Sequence, residues 1–473
     1  MFTRFRLIRL HSHGALALAL VAAAATASLV ASPSFAKEKK PAAAPAGAKI
    51  TLSKPFMPIF VAMNKAIEDA KKKPEVLAAQ QSLAAANTAY NAATTTSARK
   101  TANAQRDAAI AALGASVAAE KAQLDGAFAA ATTPDDKYIA GQLGAQFGAL
   151  SQDRKLIRQG YETMLGSGKY PAADVPKLQS AIGEMCYDLK DYACAQLQLT
   201  AAVAGGQRSG NIEVLLADSM IQQGQVTQGL QQLMTTIQAR KASGTFAPED
   251  WYRRGLSAAY KAKLLDQAAN FSSALVEAYP SKDNWGGAVS VLRLVAKYEV
   301  QERLDLMRLM ARTHSFAEGA DYAEFIQAAD PRRAPAEVLV VLEEGLAAGK
   351  LQAGDIFVSE ARTQAVTRKK EDAAALPGLE KLAMAPNATG NAVAATADAF
   401  LSNSQPAKAE MLYSMAMQKG GVDMQRMLTR LGIAQVDQGK YAEAKANFIK
   451  IEGIRKPLAQ LWITYADQKA KGG

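Results

Sequence analysis

A period of 34 residues constrains this chain more than any other feature. Gly183 and Ala217 stand 34 positions apart, and each is followed 12 residues later by another small residue, Ala195 and Gly229. Gly432 and Ala444 repeat the 12-residue interval near the C-terminus. Self-similarity at a fixed interval of this size means stacked two-helix units in place of one globular core. The first helix of one unit sets Ile182, Gly183 and Cys186 on one face, and its second helix answers with Ala195, Leu199 and Ala202. In the next unit Leu216, Ala217 and Met220 face Gly229, Leu233 and Thr236. Small residues at the crossing let two helix backbones approach, and large ones fill the seam around them.

From Pro134 onward Pro and Gly fall between helical segments, and no run of alternating β-branched residues occurs, so the chain reads as all-α. The repeating residues resemble the tetratricopeptide repeat (TPR), whose helices cross at two small positions with this same spacing. The strongest match is the stretch 428–451, LTRLGIAQVDQGKYAEAKANFIKI. Leu428, Leu431 and Gly432 fit the first helix, Gly439 and Tyr441 the turn and the start of the second, and Ala444 and Phe448 its inner face. Upstream, Ala397 and Ala409 fit the two small positions, with Tyr413 and Ala416 following. A further unit begins at Trp251-Tyr252 with Gly255, and continues through Ala268 and Leu275 after a one-residue slip. The resemblance covers 177–280 and 391–470, and 134–176 reads as a degenerate unit. Residues 281–390 are helical but fit poorly; Trp285, Leu292, Leu304, Met307, Tyr322, Phe325, Val338 and Leu342 recur there at helical spacing. Diverged repeats and a separate insertion both remain open for that stretch.

The expected architecture is therefore an α-solenoid of TPR-like helix-turn-helix repeats preceded by an Ala-rich helical hairpin. Residues 1–36 read as a secretory signal: Arg4, Arg6 and Arg9 without an acid, an apolar run from Ala15 to Ala31, and Ser34-Phe35-Ala36 as a cleavage site. A retained anchor is the competing reading; the Ala-rich run is short and weakly apolar, which favours cleavage. No Cys near the site suits a lipid anchor, and no later stretch approaches 18 uninterrupted apolar residues, so a soluble periplasmic protein of a bacterial envelope is expected. Residues 37–50 form a flexible Ala/Pro/Lys linker. In 51–133 a helix is expected from Ile59 to about Lys73, with Phe60, Met63 and Ile67 on one side. Two longer helices should follow, broken near Thr94–Ser97. Ile110, Leu113, Val117 and Leu124 make a short coiled-coil-like stripe on the second, whose simplest use is packing within the hairpin. Repeats fill 134–280, the divergent stretch 281–390, and repeats again 391–473, closed by a capping helix at Lys456–Ala470 with Leu458, Leu461, Trp462 and Tyr465 on one side.

The net charge of +11 loses three with the signal arginines and is spread over a long chain. Lys71-Lys72-Lys73 and Arg368-Lys369-Lys370 are the dense basic runs, each read as a solvated helix end, and no basic face interleaved with aromatics points to nucleic acid. The two cysteines, Cys186 and Cys194, can oxidise after export, but no His stands near to complete a metal site. The helix phase puts Cys194 beside the position facing Cys186, which counts against a bridge without excluding one. His314 reads as an exposed or capping residue at a helix end. No phosphate loop, GxSxG elbow or HExxH occurs, so a noncatalytic protein without metal or cofactor is expected.

The TPR resemblance implies that first helices line a groove. The lining residues would be Lys177, Tyr187 and Asp188, then Asp218, Ile221 and Gln222, then Tyr252, Leu256 and Tyr260. Such a mixed aromatic and polar groove suits a protein or peptide partner in the cell envelope. A cell-wall or polysaccharide polymer is the first alternative, and an enzyme with an unrecognised carboxylate pair the second.

Overall fold

A computed structural model describes residues 50–208 and 211–472; the expected signal segment and all but the last residue of the expected linker lie outside the described residues. The described residues form helices joined by turns, with no strand among them. No helix among them is long and apolar enough to cross a membrane. The described residues divide into two compact units, on either side of the junction between Gly224 and Gln225.

The first unit opens with α1 (Phe56–Ala70), α2 (Pro74–Ala92), α3 (Thr96–Ser116) and α4 (Ala118–Ala130). Helix α1 starts three residues before the expected Ile59, because Pro58 is tolerated within a first turn. Pro74 opens α2, and the Thr95 side chain caps α3. The helix expected to run on through Val117 breaks there. At the break the Lys73 ammonium donates to the Ser116 carbonyl at 3.1 Å and pairs with Glu120 at 2.9 Å. The stripe nevertheless faces inward: Leu113, Val117 and Leu124 are buried in one cluster with Met63, Ile67 and Val76. It is core of this unit, as the simpler reading had it.

Helices α5 (Pro134–Ser151) and α6 (Arg154–Gly166) pair most closely. A capping box of Thr133 and Asp136 starts α5, and Asp136 also accepts the Ser53 N–H at 2.9 Å, pinning the chain before α1. The crossing uses glycine on both sides. A Cβ on Gly160 would lie 2.5 Å from the Ala145 nitrogen and 2.6 Å from the Gly141 carbonyl oxygen. Those are backbone atoms and cannot step aside. Gly160→Ala is thus expected to destabilise the protein by about 1–3 kcal/mol through overpacking. Gly166→Ala, whose Cβ would meet nothing within 4 Å, serves as the control, expected to be neutral or slightly stabilising. Equal melting temperatures for the two variants would contradict the close crossing.

Helices α7 (Val175–Asp188), α8 (Tyr192–Ala204) and α9 (Ile212–Gln222) complete the first unit. Their small-residue crossing is as the spacing implies: a Cβ on Gly183 would press on Leu199 at 2.6 Å. Cys186 and Cys194 are joined by a disulfide, with Cα atoms 5.7 Å apart. The helix phase had counted against this bond. Asp191 caps α8 through the Cys194 N–H at 3.2 Å, and that cap sets the short turn bringing the two helix ends within reach.

The second unit begins with α10 (Val226–Ala242), α11 (Glu249–Lys261) and α12 (Leu265–Ala278), followed by α13 (Lys282–Val295) and α14 (Val300–Thr313). Next come α15 (Gly319–Ala329), α16 (Pro335–Ala347) and α17 (Ile356–Ala383). Then α18 (Gly390–Ser402), α19 (Pro406–Lys419), α20 (Met424–Val436) and α21 (Tyr441–Phe448) lead to α22 (Lys456–Ala470). The poorly fitting stretch is helical, and all eight residues assigned to its inner faces, from Trp285 to Leu342, are buried. Arg368-Lys369-Lys370 lies in the middle of α17, exposed, not at a helix end; Arg368 pairs with Glu371 and Asp372 along the same helix. His314 caps α14 in the left-handed conformation (φ 49°) and is exposed.

Helix α22 has the expected bounds but does more than cover a last apolar face. It packs on α20 and α21 and also on α12 and α14, so the unit closes on itself. Gln468 donates to the Val276 carbonyl at 2.6 Å, and the Trp462 indole N–H donates to the Asp305 carbonyl at 3.0 Å. Beneath that contact Asp305, fully buried, receives Arg308 at 2.7 Å, Arg430 at 3.1 Å and Arg455 at 2.7 Å.

Candidate functional site

The residues expected to line a groove divide between the units. In the first unit, α7 carries Lys177, exposed in its first turn, and Tyr187 and Asp188 in its last. Gly183 and Cys186 are turned to the α8 crossing; Tyr187, four residues after Gly183, borders that crossing, and Asp188 stands further round α7. Helix α9 supplies Asp218, Ile221 and Gln222; the first two are half-buried and Gln222 is exposed.

The structure joins two of these helices directly. The Tyr187 hydroxyl donates to the Asp218 carboxylate across successive first helices. The Tyr187 ring meets Tyr192 edge-on, with centroids 5.7 Å apart. Asp188 pairs with Arg154 at the start of α6. The disulfide lies one residue before Tyr187, so it fixes the end of α7 that carries both groove residues.

One residue of this face escaped the sequence reading. Glu184 lies three residues before Tyr187 and four before Asp188, on the same side of α7, and the i, i+3, i+4 spacing would have included it. Burial raises its pKa above the usual carboxylate range; Ser180, 3.4 Å away, opposes the shift and the charge of Asp188 adds to it. Two aromatics beyond the expected set pack on the same core cluster, Tyr138 of α5 and Tyr170 before α7, their rings 6.5 Å apart. The face combines tyrosines, carboxylates and a half-buried Ile221, all on first helices or the turn leading into one.

In the second unit the expectation needs correction. Tyr252 is 1 % exposed and Leu256 4 %, so neither lines an open surface. Tyr279, at the end of α12, covers Tyr252 edge-on with centroids 5.9 Å apart, and its hydroxyl donates to the Ala247 carbonyl at 2.7 Å. Tyr260 alone of this trio stays half-exposed. Because α22 folds back onto α12 and α14, the interior that an open array would offer to a partner is filled by the chain's own side chains.

Compared with known proteins, the chain matches no family model and no curated protein. Sixty-eight chains of solved structures match it. One is the structure of Naa15/Naa10 bound to HypK-THB, 13 % identical over 88 % of this chain and 73 % of that one, with a TM-score of 0.23. Another is the human IFIT1 dimer with m7Gppp-AAAA, 13 % identical over 85 % and 95 %, with a TM-score of 0.22. A circular tandem repeat protein with novel repeat topology is 12 % identical over 88 % and 89 %, with a TM-score of 0.12. Likeness of this degree says nothing about partner or activity.

Proposed function

We propose that this protein is a noncatalytic scaffold of a bacterial envelope, exported by its N-terminal segment. On this reading it holds a protein or peptide partner on the tyrosine- and carboxylate-bearing face of its first unit. The observation that carries the reading is the Tyr187–Asp218 bond, which makes two successive first helices one surface while leaving both residues only half-buried. Tyrosine on such a surface offers large contact area at small entropic cost.

Two features support a role without chemistry. Burial of Glu184 favours its protonated form. Its nearest acid, Asp188, is bound to Arg154 and so is not free to attack or to activate water. In the second unit Glu337 and Asp437 share a cavity, which invites a glycosidase reading. Burial opposes the Glu337 charge, yet Arg308 outweighs it and holds that pKa below the usual range, while Asp437 is clasped by Arg312 at 2.6 and 2.7 Å. Held ionised in this way, Glu337 does not suit the general-acid role that hydrolysis requires.

A polymer of sugars is the second reading, favoured by the Tyr138–Tyr170 pair, which packs on the same core cluster as Tyr187. One experiment separates the two. The full chain, tagged at its C-terminus, is crosslinked in cells and recovered from the periplasmic extract and from the insoluble cell wall. Wild type should bring down protein partners, and its N-terminus by mass spectrometry should be Lys37. Tyr187→Ala should capture at least tenfold less, with a melting temperature within a few degrees of wild type. Retention on wall polymer alone would support the second reading. Equal capture by the variant would remove this face from the account, and a Met1 start in the membrane pellet would mean a retained anchor.

A further inference from the structure

Helix α1 opens on an apolar stretch that its fold only half covers. Pro55–Met63, PFMPIFVAM, is nine consecutive residues without a polar side chain, bounded by Lys54 and by Asn64-Lys65. A helix apolar on every side belongs in a core or against lipid. This one is buried on one side. Phe56 and Met63 are 0 and 1 % exposed and belong to the core of the first unit, with Ile59 and Phe60 half-buried beside them. On the outer side Met57 is 45 % and Val61 58 % exposed, one turn apart, with Pro55, Pro58 and Ala62 exposed around them. Apolar residues clustered on a surface in this way mark a contact.

The charge around this stretch is one-sided. Residues 37–73 hold nine lysines, no arginine, and the acids Glu38, Glu68 and Asp69, a net of +6. Residues 1–36 hold three of the total +11, so the 400 residues from 74 to 473 hold only +2. Such asymmetry points to an anionic surface. Lys54, Lys65, Lys71 and Lys72 are exposed. Lys65 and Lys71 pair along the helix with Asp69 and Glu68, which the net of +6 already counts. Lys73 turns to Glu120 of α4, which lowers the excess by one.

We infer that the first turns of α1 rest on an anionic lipid bilayer, with Met57 and Val61 entering the headgroup boundary and the lysines on either side attracted to lipid phosphates. Two features decide for lipid over an acidic protein. Arginine, whose planar fork suits carboxylates fixed in place, is absent from 37–73; lysine is a point charge and suits a field of mobile headgroups. The lysines also extend into 37–49, which has no aromatic or large apolar side chain to seat in a protein pocket. Because Phe56, Met63, Ile67 and Ala70 hold the inner side of α1 in the core, the helix stays with its unit and the contact is shallow. The surface shares no residue with the proposed partner face.

The test is sedimentation with sucrose-loaded vesicles, using the chain from Lys37 onward, which contains every described residue. Vesicles of equal parts phosphatidylglycerol and phosphatidylethanolamine should bring down half of the protein at a lipid concentration on the order of 1 mM, the weak range of one shallow anchor. Phosphatidylcholine vesicles should bring down at least tenfold less. Salt at about 0.5 M, which shortens the screening length to a few Å, should release the protein. Met57→Ser with Val61→Ser, and separately Lys54→Glu with Lys72→Glu, should each weaken binding at least threefold. Val61→Trp should strengthen it, because indole favours the interface. All of these positions are exposed, so melting temperatures should match wild type. Tyr187→Ala should bind vesicles as wild type does, so this surface and the partner face are tested separately. Equal binding to phosphatidylcholine, binding that survives high salt, or full binding by the double serine variant would overturn the inference. Protein left in the supernatant at every lipid concentration would overturn it too and assign the apolar turns to a protein partner.

Discussion

Asp305→Ala is expected to destabilise the second unit by about 3–5 kcal/mol, the usual consequence of removing one partner from a buried ionic cluster. The carboxylate is fully buried and shared by three arginines, Arg308, Arg430 and Arg455, which are themselves 2–3 % exposed. Each arginine keeps one other acid, Glu337, Asp398 or Glu302, so truncation leaves three guanidiniums crowded around a lost counter-charge. For a unit of this size the midpoint of thermal unfolding should fall by roughly 10 °C. Asp437→Ala breaks a pair whose side chains are 21 % and 26 % exposed, and should cost about 1 kcal/mol or less. Melting curves of the two variants that coincide would show that the cluster does not hold the unit closed.

The same residue sets a pH signature. Burial opposes the Asp305 charge, but Arg430, Arg308 and Arg455 outweigh it and hold its pKa down at about 2, against 3.8 for a free aspartate. A depressed pKa means the folded state binds the proton less readily than the unfolded one. Its contribution is thus fully present above about pH 4 and is lost as pH falls through about 2. The wild-type midpoint should drop across that window, and Asp305→Ala should lack this part of the drop.

Tyr252→Ala should lower stability by about 3–5 kcal/mol, as expected for deleting a large buried ring. The side chain is 1 % exposed and packs edge-on against Tyr279. Tyr260→Ala, at a half-exposed position two helical turns further on, should cost markedly less. Comparing the two in urea distinguishes core from surface. If Tyr252→Ala melts with wild type, the ring is not buried as described, and an open groove in the second unit returns.

The contrast between these two tyrosines marks where periodicity stops being informative. Repeat spacing places Tyr252, Leu256 and Tyr260 on one first helix, in the register of Tyr187 and Asp188 on another. That register is local, and for helix pairing it was sufficient. Gly183 against Leu199 and Gly432 against Phe448 lie 16 residues apart in each case, and both crossings form. Eight apolar residues between Trp285 and Leu342 could be assigned to inner faces, and all are buried, because amphipathic helices bury their apolar stripe whatever they pack against. In the first unit the spacing puts Tyr187, Asp188, Asp218 and Ile221 on first helices, where they lie, and the same spacing carries Glu184.

What the sequence by itself determined is the all-α repeat architecture and the pairing of helices through small residues at Gly183 and Gly432. Both depend on contacts between residues a few turns apart. Only the tertiary structure decided which inner faces stay open. In the second unit Asp305 meets Arg430 and Arg455 across 125 and 150 residues, and Gln468 reaches Val276 across 192. A charged residue on a helix looks the same in sequence whether water or an arginine from a distant helix faces it. The disulfide turned on a similar margin: the phase of two helices left Cys194 beside its target, and the turn capped by Asp191 brought the Cα atoms to 5.7 Å. Closure of a helical array is the sum of small rotations at every repeat, and a sequence period fixes the number of units without fixing that sum.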